Sequence, residues 1–247
     1  MPARFLLLAL ICAWAGTAAS AQASGGFDAT SIKPYRPTGS IGQACSQRMD
    51  PKSLTLIGCT LQQLVVEAYD LKEYALENHA GRWVETDSYT LDASMSSATP
   101  QAGMMAALQA ALAARFHLVL AHHAKPVAGY ELESVAGGAK PQPATATAHC
   151  GELVMRPNLA RADCVTIADI RDTLQDFILH RPVQDQTGIS AAQQFRLELH
   201  YAAGTADQSS APSIFSALPD QMGLKLRAAR VPIEVTVIES ARKPTAN

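Results

Sequence analysis

Cys45, Cys59, Cys150 and Cys164 are the residues whose spacing most invites chemistry, because the second pair repeats the first at an offset of 105 (150−45 and 164−59). Zinc and disulfides are the two chemistries that use four cysteines. A structural zinc site expects tight C-x2-4-C pairs, and here the members of each pair lie 14 positions apart (59−45 and 164−150). An even count in an exported chain favours disulfides. Four cysteines allow three pairings, and a repeat expects each copy to hold its own bridge, Cys45–Cys59 and Cys150–Cys164. Closing a loop of about 15 residues is worth roughly 3 kcal/mol in the chain-entropy model.

Other reactive groups are sparse. His117, His122 and His123 are the best metal-ligand candidates. On one strand, His117 and His123 would share a face about 20 Å apart at ~3.3 Å per residue, and the adjacent His122 and His123 would point to opposite faces. No metal and no cofactor are expected. Asp87, Asp92 and Asp185 are candidate acids or bases, but Asp185 lies in Asp-Gln-Thr-Gly, where the side chain commonly bonds backbone amides to make a turn. No G-x-S-x-G, H-E-x-x-H or S-x-x-K constellation occurs, nor a phosphate-cradling glycine loop. Trp83 and Tyr89 read as core aromatics at a strand edge, with an aromatic binding patch as the alternative.

The first 23 residues read as a signal peptide: Arg4, an apolar run 5–14, and small residues at Ala19, Ala21 and Ala23. Its removal takes Cys12 and leaves four cysteines, in a periplasmic or secreted compartment. The apolar run is short of the ~20 residues needed to span a bilayer, and no membrane span is expected after cleavage. Without Arg4, 19 Lys and Arg stand against 22 Asp and Glu, with no basic stripe, so nucleic acid is not an expected partner.

Stepping along the chain, the cysteine repeat extends to the elements around it. Thr60 with Gln63 and Thr166 with Asp169 open matching helices. Leu61, Leu64, Val65, Ala68 and Tyr69 form one helical stripe, and Ile167, Ile170, Leu174, Phe177 and Ile178 the other. Tyr89, Leu91 and Ala93 alternate with polar residues, as do Phe195, Leu197 and Leu199, which predicts half-buried strands. Second helices start at Thr99-Pro100, burying Met105, Leu108, Leu112 and Phe116, and at Ser213, burying Phe215, Leu218 and Met222 before a stop at Gly223. Pro219 predicts a kink or early end. Each copy is expected to close with a hairpin, residues 117–124 against 129–135 and 224–229 against 233–238, turning at Pro126 and Pro232. Residues 137–148 and 202–211 read as linkers.

The expected fold is thus α+β, an internal duplication of a β-α-β-α-β-β unit in two disulfide-stapled, pseudo-symmetric halves. Its divisions are a signal peptide 1–23, a first repeat 24–140, a linker 141–148 and a second repeat 149–247.

Several runs in order carry a resemblance. Phe27-Asp28-Ala29-Thr30-Ser31-Ile32-Lys33-Pro34 comes first, followed by Thr60-Leu61-Gln62-Gln63-Leu64 and by Trp83 with Asp87-Ser88-Tyr89. Then come Ala114-Arg115-Phe116-His117-Leu118, Arg181-Pro182-Val183, Asp185-Gln186-Thr187-Gly188-Ile189, Gly223-Leu224-Lys225-Leu226 and Lys243-Pro244. Together they resemble the soil-associated secreted proteins, a domain of unknown function with many paralogues in soil bacteria. The chain departs from that pattern at Ser190–Phe195 and at Pro219. The resemblance implies secretion and an α+β fold without an established activity. Relatives that look like extracellular modules of membrane metallopeptidases imply sensing or partner binding.

Two readings of function follow. The first is a non-enzymatic extracytoplasmic binding or sensing module that takes a peptide, envelope component or protein through a sheet edge or the groove between repeats. The second is a secreted hydrolase with its site at the repeat interface. Two carboxylates or a Ser–His pair in one pocket would favour the second reading, and a shallow apolar groove the first.

Overall fold

The structure is a computed structural model that describes residues 26–36, 45–137, 142–144, 153–202 and 211–245. The first stretch of chain forms β1 (Ala29–Pro34), β2 (Ser46–Asp50), β3 (Ser53–Thr60) and α1 (Leu61–Ala68). A 3-10 turn (Glu73–Ala75), β4 (Leu76–Asn78), the short α2 (Trp83–Thr86), β5 (Ser88–Ser94), α3 (Gln101–Phe116) and β6 (Val119–Ser134) follow. The second stretch forms β7 (Val154–Arg156), β8 (Leu159–Val165) and α4 (Ile167–Thr173), which continues into a π-helical turn (Leu174–Leu179). It ends with β9 (Val183–Asp185), β10 (Phe195–His200), α5 (Ile214–Met222) and β11 (Leu224–Ser240). The fold is a mixed α+β one.

Three sheets organise these elements, in the orders β1-β5-β3-β2, β10-β8-β7 and β4-β11-β6-β9. In the last, β6 and β11 run antiparallel from Ser134↔Leu224 to Val119↔Ser240. β4 lies parallel to β11 and β9 parallel to β6, so each long strand is flanked by a short strand from the other half of the sequence.

This ribbon replaces the two expected hairpins. Residues 117–135 do not fold back on themselves; β6 runs straight through Pro126, and β11 through Pro232. The two prolines face each other. A proline removes a ladder donor, and here both missing donors fall at a single rung, so the strands continue where two separate turns were expected.

The ribbon also joins two cores. The first is built on Ile32, Leu54, Leu56, Leu61, Leu64, Leu108 and Phe116, and it takes in Ile238 from β11. The second, on Ile170, Leu174, Phe195, Leu197 and Leu218, takes in Leu132 from β6. At their other ends, Leu120 of β6 packs on the first core and Leu224 of β11 lies in the second.

The side sheets share one register. The pairs Leu56↔Leu91 and Cys59↔Tyr89, moved along the sequence by 106 (162−56, 197−91, 165−59 and 195−89), fall on Ala162↔Leu197 and Val165↔Phe195. The register shift between the two pairs recurs at the same place. Within the segment read as linker, Pro143 bridges Phe195, while Arg196 N–H donates to Gln142 O at 2.8 Å and Ala144 N–H to Gln194 O at 3.1 Å. That places residues 142–144 along β10 much as β1 lies along β5, where Pro34 faces Tyr89. Residues 203–210, the heart of the second expected linker, lie outside the described residues, as does the segment 1–23.

Both capping boxes form. Gln63 N–H donates to Thr60 Oγ1 at 3.2 Å and Thr60 N–H returns to Gln63 Oε1 at 2.9 Å. Asp169 N–H and Thr166 N–H do the same at 3.3 and 2.8 Å. Such reciprocal bonds satisfy two of the donors left open at a helix start. Tyr89, Leu91, Ala93, Phe195, Leu197 and Leu199 are all buried.

Several positions differ from expectation. Phe177 is 59 % exposed, because the helix widens to i→i+5 bonding from Leu174 and carries it off the stripe. Phe215 is 47 % exposed: the buried stripe of α5 is Ile214, Ala217, Leu218 and Met222, one position out of step with it. Pro219 neither ends α5 nor shortens it, since the helix runs to Met222 and Gly223 closes it at φ 62°. Pro100, and not Thr99, caps α3, and Met104 takes the buried place expected of Met105. His117 lies outside β6 as the left-handed cap of α3. Trp83, read as a core aromatic at a strand edge, opens α2.

Candidate functional site

The ends of α1 and of the α4 helix meet over the middle of the ribbon. After α1 the chain turns left-handed at Asp70 (φ 49°) and presents Lys72, Glu73 and Tyr74. The helix begun by α4 reaches His180 (φ 49°) before the same turn. The offset between the two turns is 110 (180−70), against the 106 that relates the sheets, so the second helical segment, counted from its start to the turn, is four residues longer. The extra length falls in the π-helical turn and carries Asp176 across to Lys72, with Nζ and Oδ2 2.9 Å apart.

This meeting encloses a pocket of about 210 Å³ lined by Leu71, Lys72, Glu73, Tyr74, Gln175, Asp176 and His180. A broader groove of about 480 Å³ shares Gln175 and continues over Arg171, Asp172, residues 182–185 and Val231, Pro232 and Ile233 of the ribbon. Gln175 holds the wall between them: its Oε1 accepts Val183 N–H at 3.1 Å and its Nε2 donates to Asp176 Oδ1 at 3.2 Å.

Asp172 is held by Arg171, whose Nη2 and Nε lie 2.7 and 2.9 Å from its Oδ1. Desolvation pushes the Tyr74 hydroxyl up to about 12, and the negative charges of Asp176 and Asp172 push in the same direction. At neutral pH the Tyr74 hydroxyl is protonated, and the charges of two acids one helical turn apart act on it. The groove is polar, and each of the two aspartates already has a cation beside it. It presents positioned donors and acceptors. It does not pair a bare acid with a bare base.

The residues singled out in the sequence lie elsewhere. Cys45 and Cys59 are bonded, with Cα atoms 4.4 Å apart, and the bridge ties the start of β2 to the strand that feeds α1. Cys164 is disulfide-bonded; Cys150 lies outside the described residues. His122 and His123 point apart, His122 Nδ1 lying 3.7 Å from Glu234 and His123 Nε2 3.9 Å from Glu239. Among the described residues no group of three or more His, Cys, Asp or Glu could hold a metal ion. Asp185 Oδ1 accepts Thr187 N–H at 2.9 Å, the expected turn. Asp92 accepts from Thr55 at 3.2 Å. Lys243 holds the Asp87 carboxyl below the usual carboxylate range, chiefly by hydrogen bonding. Tyr89 is core and Trp83 half-buried, both packing on Phe116.

Sequence reasoning missed Lys72, Tyr74 and Asp176. Their one visible signal was the longer apolar helix after Thr166. No helix among the described residues is long and apolar enough to cross a membrane.

A mixed α+β chain with a polar groove at the junction of its halves is as far as geometry defines the class. Residues 62–241 match the family described as "Protein of unknown function (DUF3738)", and the chain belongs to that family. No curated protein and no solved structure matches it.

Proposed function

We propose that this protein is a non-enzymatic extracytoplasmic binding or sensing module, an internal duplication that takes a peptide or envelope component in the groove where its halves meet. Export is supported by the charged, apolar and small-residue order of positions 1–23, by the Cys45–Cys59 bond, and by the resemblance to soil-associated secreted proteins. Duplication is supported by the common displacement of 106 in both side sheets.

The observation that carries the binding reading is the four-residue lengthening of the second helix. The halves follow one register in their sheets and depart from it at the junction, where the extra turn brings Asp176 to Lys72 and Tyr74. π-helical turns occur frequently at functional sites. A specific observation favours a second reading, a hydrolase at the interface: Asp172 and Asp176 both act on the Tyr74 hydroxyl. Their adjacent cations favour recognition over proton transfer.

Thermal shift of the purified chain against envelope polymers, peptides and metals tests the proposal. A ligand at about 100 Kd stabilises by roughly 2.7 kcal/mol, which for a protein of this size raises Tm by about 5–10 °C. Tyr74→Phe and Asp176→Asn should remove most of that rise. A ligand whose shift survives both substitutions binds elsewhere, and the groove reading then fails.

A further inference from the structure

The last described residues, 241–245, leave β11 and lie along the first core. Arg242 N–H donates to Phe116 O at 2.6 Å, and Arg115 Nη2 donates to Thr245 O at 3.3 Å. Between those two anchors Lys243 reaches into a small prepared corner. Its Nζ lies 2.6 Å from Asp87 Oδ2 and 5.8 Å from the centre of the Trp83 ring.

That corner is braced by contacts that do not involve the lysine. Trp83 opens α2 and Asp87 caps its C-terminal end, where Asp87 N–H closes the turn on Trp83 O at 2.9 Å. The indole is backed by Phe116, stacked at 6.4 Å, and Phe116 is braced edge-on by Tyr89 at 5.2 Å. An aromatic ring and a carboxylate converging on one point recognise an ammonium group, the first through its quadrupole and the second through its charge. Pro244 biases the residue before it to an extended backbone, so the occupying segment is pre-shaped.

We propose that Trp83 and Asp87 form a receptor slot for the lysine of an extended Lys-Pro segment, filled in cis by this chain's own Lys243. The slot is independent of the junction groove. Its occupant is exchangeable: the side chains of Lys243 and Asp87 are 59 % and 38 % exposed, and ion pairs and cation–π contacts in that setting are weak. The segment with matching chemistry is residues 242–245 themselves, so the trans occupant is the same segment of a second copy. A short tether gives the cis segment an effective concentration in the millimolar range, against which the trans segment competes.

The test uses the full chain carrying Trp14→Phe, so that Trp83 supplies the one indole N–H resonance. The probe is the pentapeptide Ala-Arg-Lys-Pro-Thr. With Lys243→Ala, and equally with Lys243→Gln, the peptide should shift that resonance saturably, about tenfold more tightly than in the chain that retains Lys243. Adding Asp87→Asn, or replacing the peptide's lysine by alanine, should abolish the response, whereas Tyr74→Phe should leave it unchanged. The proposal is overturned by a natively folded Lys243→Ala chain with no saturable shift. Equal binding by the alanine peptide, or by the chain that retains Lys243, overturns it as well.

Discussion

Leu132→Ala tests the shared ribbon most directly. Leu132 sits in the first half of the sequence, on β6, yet it is fully buried in the second core with Ile170, Phe195 and Leu218. Truncating a fully buried leucine costs about 2–5 kcal/mol, through lost transfer energy and the cavity left behind. At about 3 kcal/mol, a protein of this size loses roughly 6–12 °C of Tm. The informative part is where the loss is seen. In a Trp14→Phe background the one tryptophan is Trp83, which packs on the first core. If β6 and β11 couple the cores, Trp83 fluorescence and far-UV circular dichroism will shift together in one transition. The mirror variant Ile238→Ala removes a fully buried side chain of the second half from the first core and should behave alike. A Leu132→Ala chain whose Trp83 transition stays at the wild-type temperature, while circular dichroism splits into two steps, would refute the coupling.

Four further outcomes are expected. Gly129→Ala should destabilise by about 1–3 kcal/mol, since a Cβ there would collide with the Pro182 carbonyl; chemical denaturation reads the loss. His117→Gly should stabilise by up to about 1 kcal/mol, because His117 holds a left-handed φ of 50° that glycine adopts without a Cβ penalty; the same denaturation curve checks it. Tyr69, Tyr74, Tyr89 and Tyr201 are all raised by burial, Tyr74 and Tyr89 to about 12. Their folded values exceed the unfolded value of 10, so their contribution is complete below pH 10 and is lost as pH rises above it, towards about 12 for Tyr74 and Tyr89. Ultraviolet titration should show native tyrosinate lagging the unfolded chain, and Asp176→Asn should bring Tyr74 down. Replacing Cys45 and Cys59 by alanine should leave a folded chain less stable by roughly 3 kcal/mol, measured as a lower Tm under non-reducing conditions.

What the sequence disclosed and what it hid divide along physical lines. Period-two alternation identified β5 and β10, and side-chain chemistry at Thr60–Gln63 and Thr166–Asp169 identified two helix starts, because those signals are local. Periodicity says which face of a strand is buried. It does not say which strand lies alongside. Residues flanking Pro126 therefore read as a hairpin, although their partners lie about a hundred residues away on β11. Phe177 misled for a related reason: an α-helical period was applied to a turn that had widened. The groove was the least legible part. Lys72 and Asp176 are 104 residues apart, and neither carries a motif.

On the proposed duplication, symmetry explains why such a pair needs the extra turn. In a strictly repeated chain, groups at the two-fold axis face their own copies, so an acid meets an acid and a base meets a base. The ribbon obeys this: Pro126 faces Pro232, which is its own counterpart at a displacement of 106 (232−126). By the same displacement Lys72 corresponds to Ile178, and Asp176 to Asp70. A repeat without the insertion has no reason to set a cation against an anion at this junction. Lengthening one helix by four residues rotates and advances its end, and Asp176 then stands where Lys72 reaches it. The same step puts Asp176 beside Tyr74, on whose hydroxyl Asp172 also acts. A symmetric saddle offers a ligand two equivalent orientations, and the lengthened helix leaves one. If the groove binds as proposed, those four residues select one orientation of the ligand, and deleting Gln175, Asp176, Phe177 and Ile178 together should abolish binding in the groove while leaving the registers of the side sheets intact.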